Sequence, residues 1–311
     1  MRVAVYLPLL LSLLAPLVAR PLSERCEPRL ATWLLTVSAV VLAAATTISL
    51  GLLTITGLIR IPLLADLGHW SAHAAQRDDP TGPSIALVAG LLLGGAVLTA
   101  ARVLVRRART LVAAAAEAAC MPTPDGLVVV EDDTPDAFAL PGLPGRVVVS
   151  TGMLHALEES EHDILLAHER AHLAAHHYLF VAFAGLGAAA NPLLRPLATA
   201  VTYTVERWAD ERAAAVTGDR AQVARTVGKA ALAARRAPAP APGAALGIFG
   251  RRGPLGGAGP VPRRVAALLA PPLRRHPGLV LATAALLAIA ACSTAEAGHD
   301  LHLLLEIVGA E

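Results

Sequence analysis

Four long apolar runs constrain this chain more than any other feature. A helix that spans a bilayer needs about 20 predominantly apolar residues, about 17 at the short end. Residues 3–19, 32–58, 84–105 and 278–291 with its flanks meet that requirement. Only 16% of the residues are charged and the mean hydropathy is +0.57. Those values exclude a disordered chain and argue against a wholly water-soluble enzyme. The cysteines, Cys26, Cys120 and Cys292, are too few and too scattered for a disulfide framework or a thiolate zinc site.

The arginines set the expected orientation. Residues 20–31 carry Arg20, Arg25 and Arg29. Arg102, Arg106, Arg107 and Arg109 follow the third run closely, and Arg263, Arg264, Arg274 and Arg275 precede the fourth. The tail beyond the fourth run has Glu296, Asp300, Glu306 and Glu311 and no basic residue. Basic residues near the membrane mark the cytoplasmic side, so the expected topology has four spans and both termini outside. Arg2 before an apolar run ending near Ala19 also fits a cleaved signal peptide. Cleavage would place the arginine-rich segment outside, against the charge rule. The expected architecture is a mainly α membrane protein with a cytoplasmic α+β domain. Residues 1–105 form the membrane domain and 106–236 the cytoplasmic domain. A Pro/Gly/Arg-rich linker follows over 237–277, and residues 278–311 form the fourth span and a short external tail.

Within 106–236 the β-branched runs 126–131 and 146–150, bounded by Pro, Gly and Asp, predict strands. The stretch 137–145 between them reads as a turn-rich approach to the second strand. Ser150 or Thr151 caps a helix to about Glu158, and another begins near Ser160 and keeps its period through His177. Residues 178–190 are apolar but short of a span and are interrupted at Asn191-Pro192, which predicts a buried or membrane-grazing hairpin. A long helix resumes near Leu197 and stops at Gly218.

The helix through His177 carries His168-Glu169-Arg170-Ala171-His172, an H-E-x-x-H sequence. Residues four apart share a helix face, so both imidazoles can hold one metal ion, and Glu169 is placed to take a proton from water there. In isolation the pentapeptide also occurs in unrelated helices. A catalytic zinc needs a third protein ligand and an open fourth position. Glu206 and Asp210, four apart on the next long helix, offer a ligand and a carboxylate to orient a ligand histidine. The plainer interpretation of Glu206–Arg212 is a solvated charged face, and Glu211 fits it. A third histidine at the metzincin spacing is excluded, because that position is Tyr178. His176 and His177 lie beyond the motif. His176, eight residues along the same helix and about 12 Å from His168, is too far to join it. Both are expected at the surface or the membrane interface.

The whole arrangement resembles the integral-membrane metallopeptidases of the β-lactam-sensor (antirepressor) class, within the glutamate-liganded zincins. It consists of three spans, a strand ahead of the motif, His168–His172, Asn191-Pro192-Leu193, Glu206 with Asp210, and a fourth span. The prenyl-protein (CAAX) protease and HtpX-like group shares the zinc core and is the neighbouring candidate. The resemblance implies one zinc ion on His168, His172 and Glu206, Glu169 as catalytic base, and Asp210 as the carboxylate that orients a ligand. It implies a protein substrate, a transcriptional repressor among the candidates, and an edge strand near Arg146–Ser150 that pairs with it. No direct nucleic acid binding is implied. His177 stands where the family often has Asp. The residues after the fourth span are too few for an extracellular penicillin-binding sensor. Against the peptidase stand a non-catalytic signalling scaffold on the same fold, which the intact base and ligand positions disfavour, and a transporter. A transporter would need ionisable residues inside the spans, which have them only at their edges.

Overall fold

The computed structural model describes residues 4–58, 83–121, 123, 125–236, 260–271 and 276–309. Residues 59–82 between the second and third expected spans, residues 237–259 of the expected linker, Arg274, Arg275 and Glu311 lie outside the described residues. What is described is mainly helical, with one small sheet.

Helices α1 (Leu7–Ser12) and α2 (Ala15–Arg25) lead into α3 (Pro28–Leu58). Next among the described residues come α4 (Pro83–Ala119) and three strands, β1 (Leu127–Val130), β2 (Ala137–Leu140) and β3 (Arg146–Ser150). Then follow α5 (Thr151–Ala156), α6 (Glu159–Ala174), α7 (His177–Ala190), α8 (Arg195–Thr217), α9 (Arg220–Arg236), α10 (Pro260–Leu269) and α11 (Pro277–Gly309). Among the described residues, α3, α4 and α11 are each long and apolar enough to cross a membrane; up to five segments qualify if two bent pairs count as one span each. The first expected span is one of those pairs: α1 and α2 meet at 51°, so residues 3–19 do not form a single straight helix. The other is α6 with α7, bent by 58°. The fourth expected span continues as one helix to Gly309.

Helix α3 lies at the centre of the helical part, against α1, α2, α4, α7, α8 and α11. Its buried face is Ala- and Leu-rich (Ala31, Leu35, Ala39, Leu42), and α7 closes on it at Gly187, where a Cβ would meet the Ala39 carbonyl oxygen at 2.7 Å. Only a glycine allows that approach. The Asn191-Pro192 turn docks by hydrogen bonds. Asn191 Nδ2 donates to Ser12 Oγ (3.0 Å) and Thr46 Oγ1 (3.2 Å), and its Oδ1 accepts from the Leu193 N–H. Helix α7 and a short 3-10 turn lead into α8, which packs back on α7, so the two form a buried helical hairpin.

The sheet order is β1-β3-β2, with β1 parallel and β2 antiparallel to β3. Two expectations change here. The stretch 137–145 contains a strand, β2, which its Ala and Leu residues and flanking Pro conceal. And β3, all five residues buried, is the central strand and no edge. The edge strand that packs on α6 is β2.

Helix α6 starts at Glu158 with a capping box. The Glu161 side chain accepts from the Glu158 N–H (2.9 Å), and Lys229 of α9 lies 2.8 Å from both carboxylates. Helix α8 ends at Gly218, whose φ of 75° suits glycine. Residues 260–269, assigned to the linker by composition, form α10. Its Leu268, with Val265 against it, enters a core with Ile164 of α6, Ala213 and Ala214 of α8, and Val223 and Ala224 of α9.

Candidate metal centre

Helices α6 and α8 lie against each other and bring three donor side chains to one point. His168 Nε2 and His172 Nε2 are 3.2 Å apart, Glu206 Oε2 is 3.6 Å from the first, and Glu206 Oε1 is 3.8 Å from the second. Donors about 2.0–2.1 Å from a tetrahedral ion stand about 3.3 Å from one another. The His/His/Glu set therefore fits a zinc-sized cation.

The surroundings of the two imidazoles differ. His168 Nδ1 lies 3.1 Å from Asp210 Oδ1, and Asp210 is 1% exposed. Burial opposes a charge on His168, but Asp210 and Glu206 outweigh it and lift the imidazole to about 10. The field that holds a proton there also favours a cation. His172 Nδ1 lies 2.9 Å from His177 Nδ1. Burial depresses His172 to about 4 and, with His172 beside it, His177 to about 3, so both stay neutral. Glu169 is buried next to His168, and burial raises its carboxyl to about 7. That is the range in which a carboxylate serves as a general base. Glu206 is held below the usual carboxylate range against its burial, chiefly by Arg264 and His168.

The structure thus brings together all five residues expected from the sequence. It also corrects one and adds one. His177 was expected at the surface but is fully buried, tilted against Trp208 with ring centres 4.7 Å apart. Helix α6 ends at Ala174, and His176 takes a left-handed conformation (φ 51°) that turns the chain. On a continuous helix His177 would point away from His172; after the turn it lies against it. No Gly, Asn or Pro signals that break, and only His176 is exposed as expected.

The addition is Arg264 of α10. Its Nε and Nη2 donate to Asp210 Oδ2 (2.8 Å) and Oδ1 (2.6 Å), and its Nη1 lies 2.8 Å from Glu206 Oε2. Its sequence signal was present but short. Pro260 opens the helix, and Val261, Arg264, Val265 and Leu268 share one face. Glu211, as expected, faces elsewhere and pairs with Arg220.

The profile of Peptidase family M48 matches residues 103–194. The match covers His168, Glu169, His172 and His177 and ends before Glu206, Asp210 and Arg264. No curated protein and no solved structure matches the chain. Over that stretch the chain is similar to a family of metallopeptidases, which supports a metal-dependent hydrolase of peptide bonds.

Proposed function

We propose that this chain is a membrane-embedded, zinc-dependent endopeptidase that cuts a protein substrate at the cytoplasmic face. The observation that carries the proposal is the convergence of His168, His172 and Glu206 donor atoms beside a buried carboxylate, Glu169. His168, His172 and Glu206 would hold the ion. When bound, zinc supplies Lewis acidity, acidifying a water and polarising the scissile carbonyl. Glu169 accepts a proton from the attacking water and returns it to the leaving amine. Asp210, 3.1 Å from His168 Nδ1, would orient that imidazole with Nε2 toward His172 and Glu206.

An extended substrate would lie along β2, the edge strand on α6, with main-chain hydrogen bonds giving affinity independent of sequence. The arginine distribution supports a cytoplasmic site, where a transcriptional repressor is one candidate substrate. The lipid bilayer holds α3, α4 and α11 in this proposal. The test is metal analysis of the purified full chain together with Glu169→Gln. Stoichiometric zinc, proteolysis by the parent and none by the variant are expected. Near-normal proteolysis by Glu169→Gln would remove the enzyme assignment.

A further inference from the structure

Arg264 is 8% exposed, and its guanidinium contacts both Asp210, behind His168, and Glu206, a member of the donor set. A guanidinium presents five N–H donors in a rigid planar fork. Here Nε and Nη2 grip Asp210 side-on, and Nη1 reaches Glu206 Oε2. Asp210 Oδ1 is in turn 3.1 Å from His168 Nδ1. One planar group therefore fixes two carboxylates relative to each other. A glutamate at a metal can bind through one oxygen or both. Arg264 competes with an ion for Oε2, which lies 3.6 Å from His168 Nε2, and so favours Oε1, 3.8 Å from His172 Nε2, as the ligand oxygen.

The origin of Arg264 matters as much as its contacts. It arrives on α10, across the segment 237–259 from the rest of the catalytic helices. Besides Leu268 and Val265 in the core, α10 is held by Arg220, whose Nε and Nη2 donate to the carbonyls of Leu268 (2.9 Å) and Ala267 (3.2 Å). Arg263 reaches Glu24 of α2 (2.9 Å) and lies over the Tyr203 ring. Soon after α10, α11 begins at Pro277, the last of the apolar helices.

We propose that Arg264 is a positioning residue that restricts Glu206 to one-oxygen ligation, and that the metal site is completed only when α10, the helix leading into the last apolar helix, is docked. The proposal rests on the zinc-peptidase assignment above and adds the part of the chain beyond the linker to the metal centre. Loss of Arg264 frees Glu206 Oε2 to approach the ion and raises the coordination number, while Asp210 loses the group that aims it.

The experiment uses the full chain in detergent, loaded with Zn²⁺ or Co²⁺. Zinc affinity is read by chelator competition, and coordination by the visible bands of Co²⁺, which are intense in tetrahedral sites and weak at higher coordination. Arg264→Gln is expected to lose about 10–100-fold in zinc affinity, the usual cost of an outer-shell partner, with weakened Co²⁺ bands. Arg264→Lys, which keeps the charge as a single point donor, should fall between it and the parent. Parent-like affinity and spectrum in both variants would overturn the proposal. If the Gln variant fails to fold by circular dichroism, the Lys spectrum decides the same question. A parent chain that takes up neither metal would instead remove the metal-site assignment, and the proposal with it.

Discussion

His168 and His172 are four residues apart on one helix and face the same point, yet they are supported by opposite chemistry. Behind His168 stands a buried ionic group, Asp210 with Arg264. Behind His172 stands a neutral one, His177 packed at a tilt against Trp208, which itself meets Phe180 and the Arg29 guanidinium. The difference follows from charge balance. Buried Glu169 and Asp210 and the partly buried Glu206 already put three carboxyl groups around one site, with Arg264 coupled to all three. A fourth carboxylate behind His172 would add a further desolvation cost. An imidazole accepts the same Nδ1 proton without adding a charge.

The largest effect expected separates holding the metal from using it. Glu169→Gln leaves both imidazole supports untouched, so zinc content should stay stoichiometric. Turnover of a peptide or protein substrate should fall by about 10²–10⁴-fold, the usual contribution of a general base. Zinc lost along with activity would show that Glu169 helps to build the site, and the comparison of the two supports would then need a third member.

The ionic side comes next. Asp210→Asn keeps shape but replaces a carboxylate that serves both His168 and Arg264. Zinc affinity should drop by about 10–100-fold, measured by chelator competition alongside a melting curve. Unchanged affinity would mean that the 3.1 Å contact does not orient His168. On the neutral side, His177→Leu removes the acceptor for His172. A loss near tenfold is expected, since an imidazole makes a weaker hydrogen bond than a carboxylate. His177→Asn, with an acceptor oxygen, should recover part of it. An equal loss at Asp210 and His177 would break the contrast between the two supports.

This asymmetry also explains what the sequence revealed and what it hid. His168, Glu169 and His172 were legible because helical periodicity is a local rule, and Glu206 with Asp210 because the same rule applies on α8. His177 was misplaced because a single left-handed residue, His176, ends α6 with none of the usual stop signals. Strand β2 was missed because Ala137–Leu140 lacks β-branched residues, and it holds its place through pairing with β3 and packing on α6. Arg264 was hidden by composition: its helix carries an amphipathic pattern of only ten residues beside a Pro/Gly-rich stretch, and burial of that face against α8 and α9 stabilises it. Residues far apart in sequence were readable only where each lay on an element that declares itself.

The smallest effect expected concerns Glu211, next in sequence to Asp210 and the natural control for it. Glu211 is turned about 100° away round α8 and pairs with Arg220 through both carboxylate oxygens, at about a third exposure on each side. Arg220 also caps the carbonyls of Ala267 and Leu268, so Glu211 touches α10 only indirectly. Glu211→Ala removes one partly exposed ion pair but leaves those caps and the buried face of α10 in place. Such a pair contributes about 0.2–1 kcal/mol, so a small fall in melting temperature is expected, with zinc affinity unchanged. Arg220→Ala removes the caps as well and should cost more. If α10 docking sets the geometry of Glu206, it should also begin to weaken zinc binding. A drop in zinc affinity for Glu211→Ala as large as that for Asp210→Asn would mean that the charged face of α8 acts as a whole. The distinction between a carboxylate aimed at His168 and one at the edge of the site would then be lost.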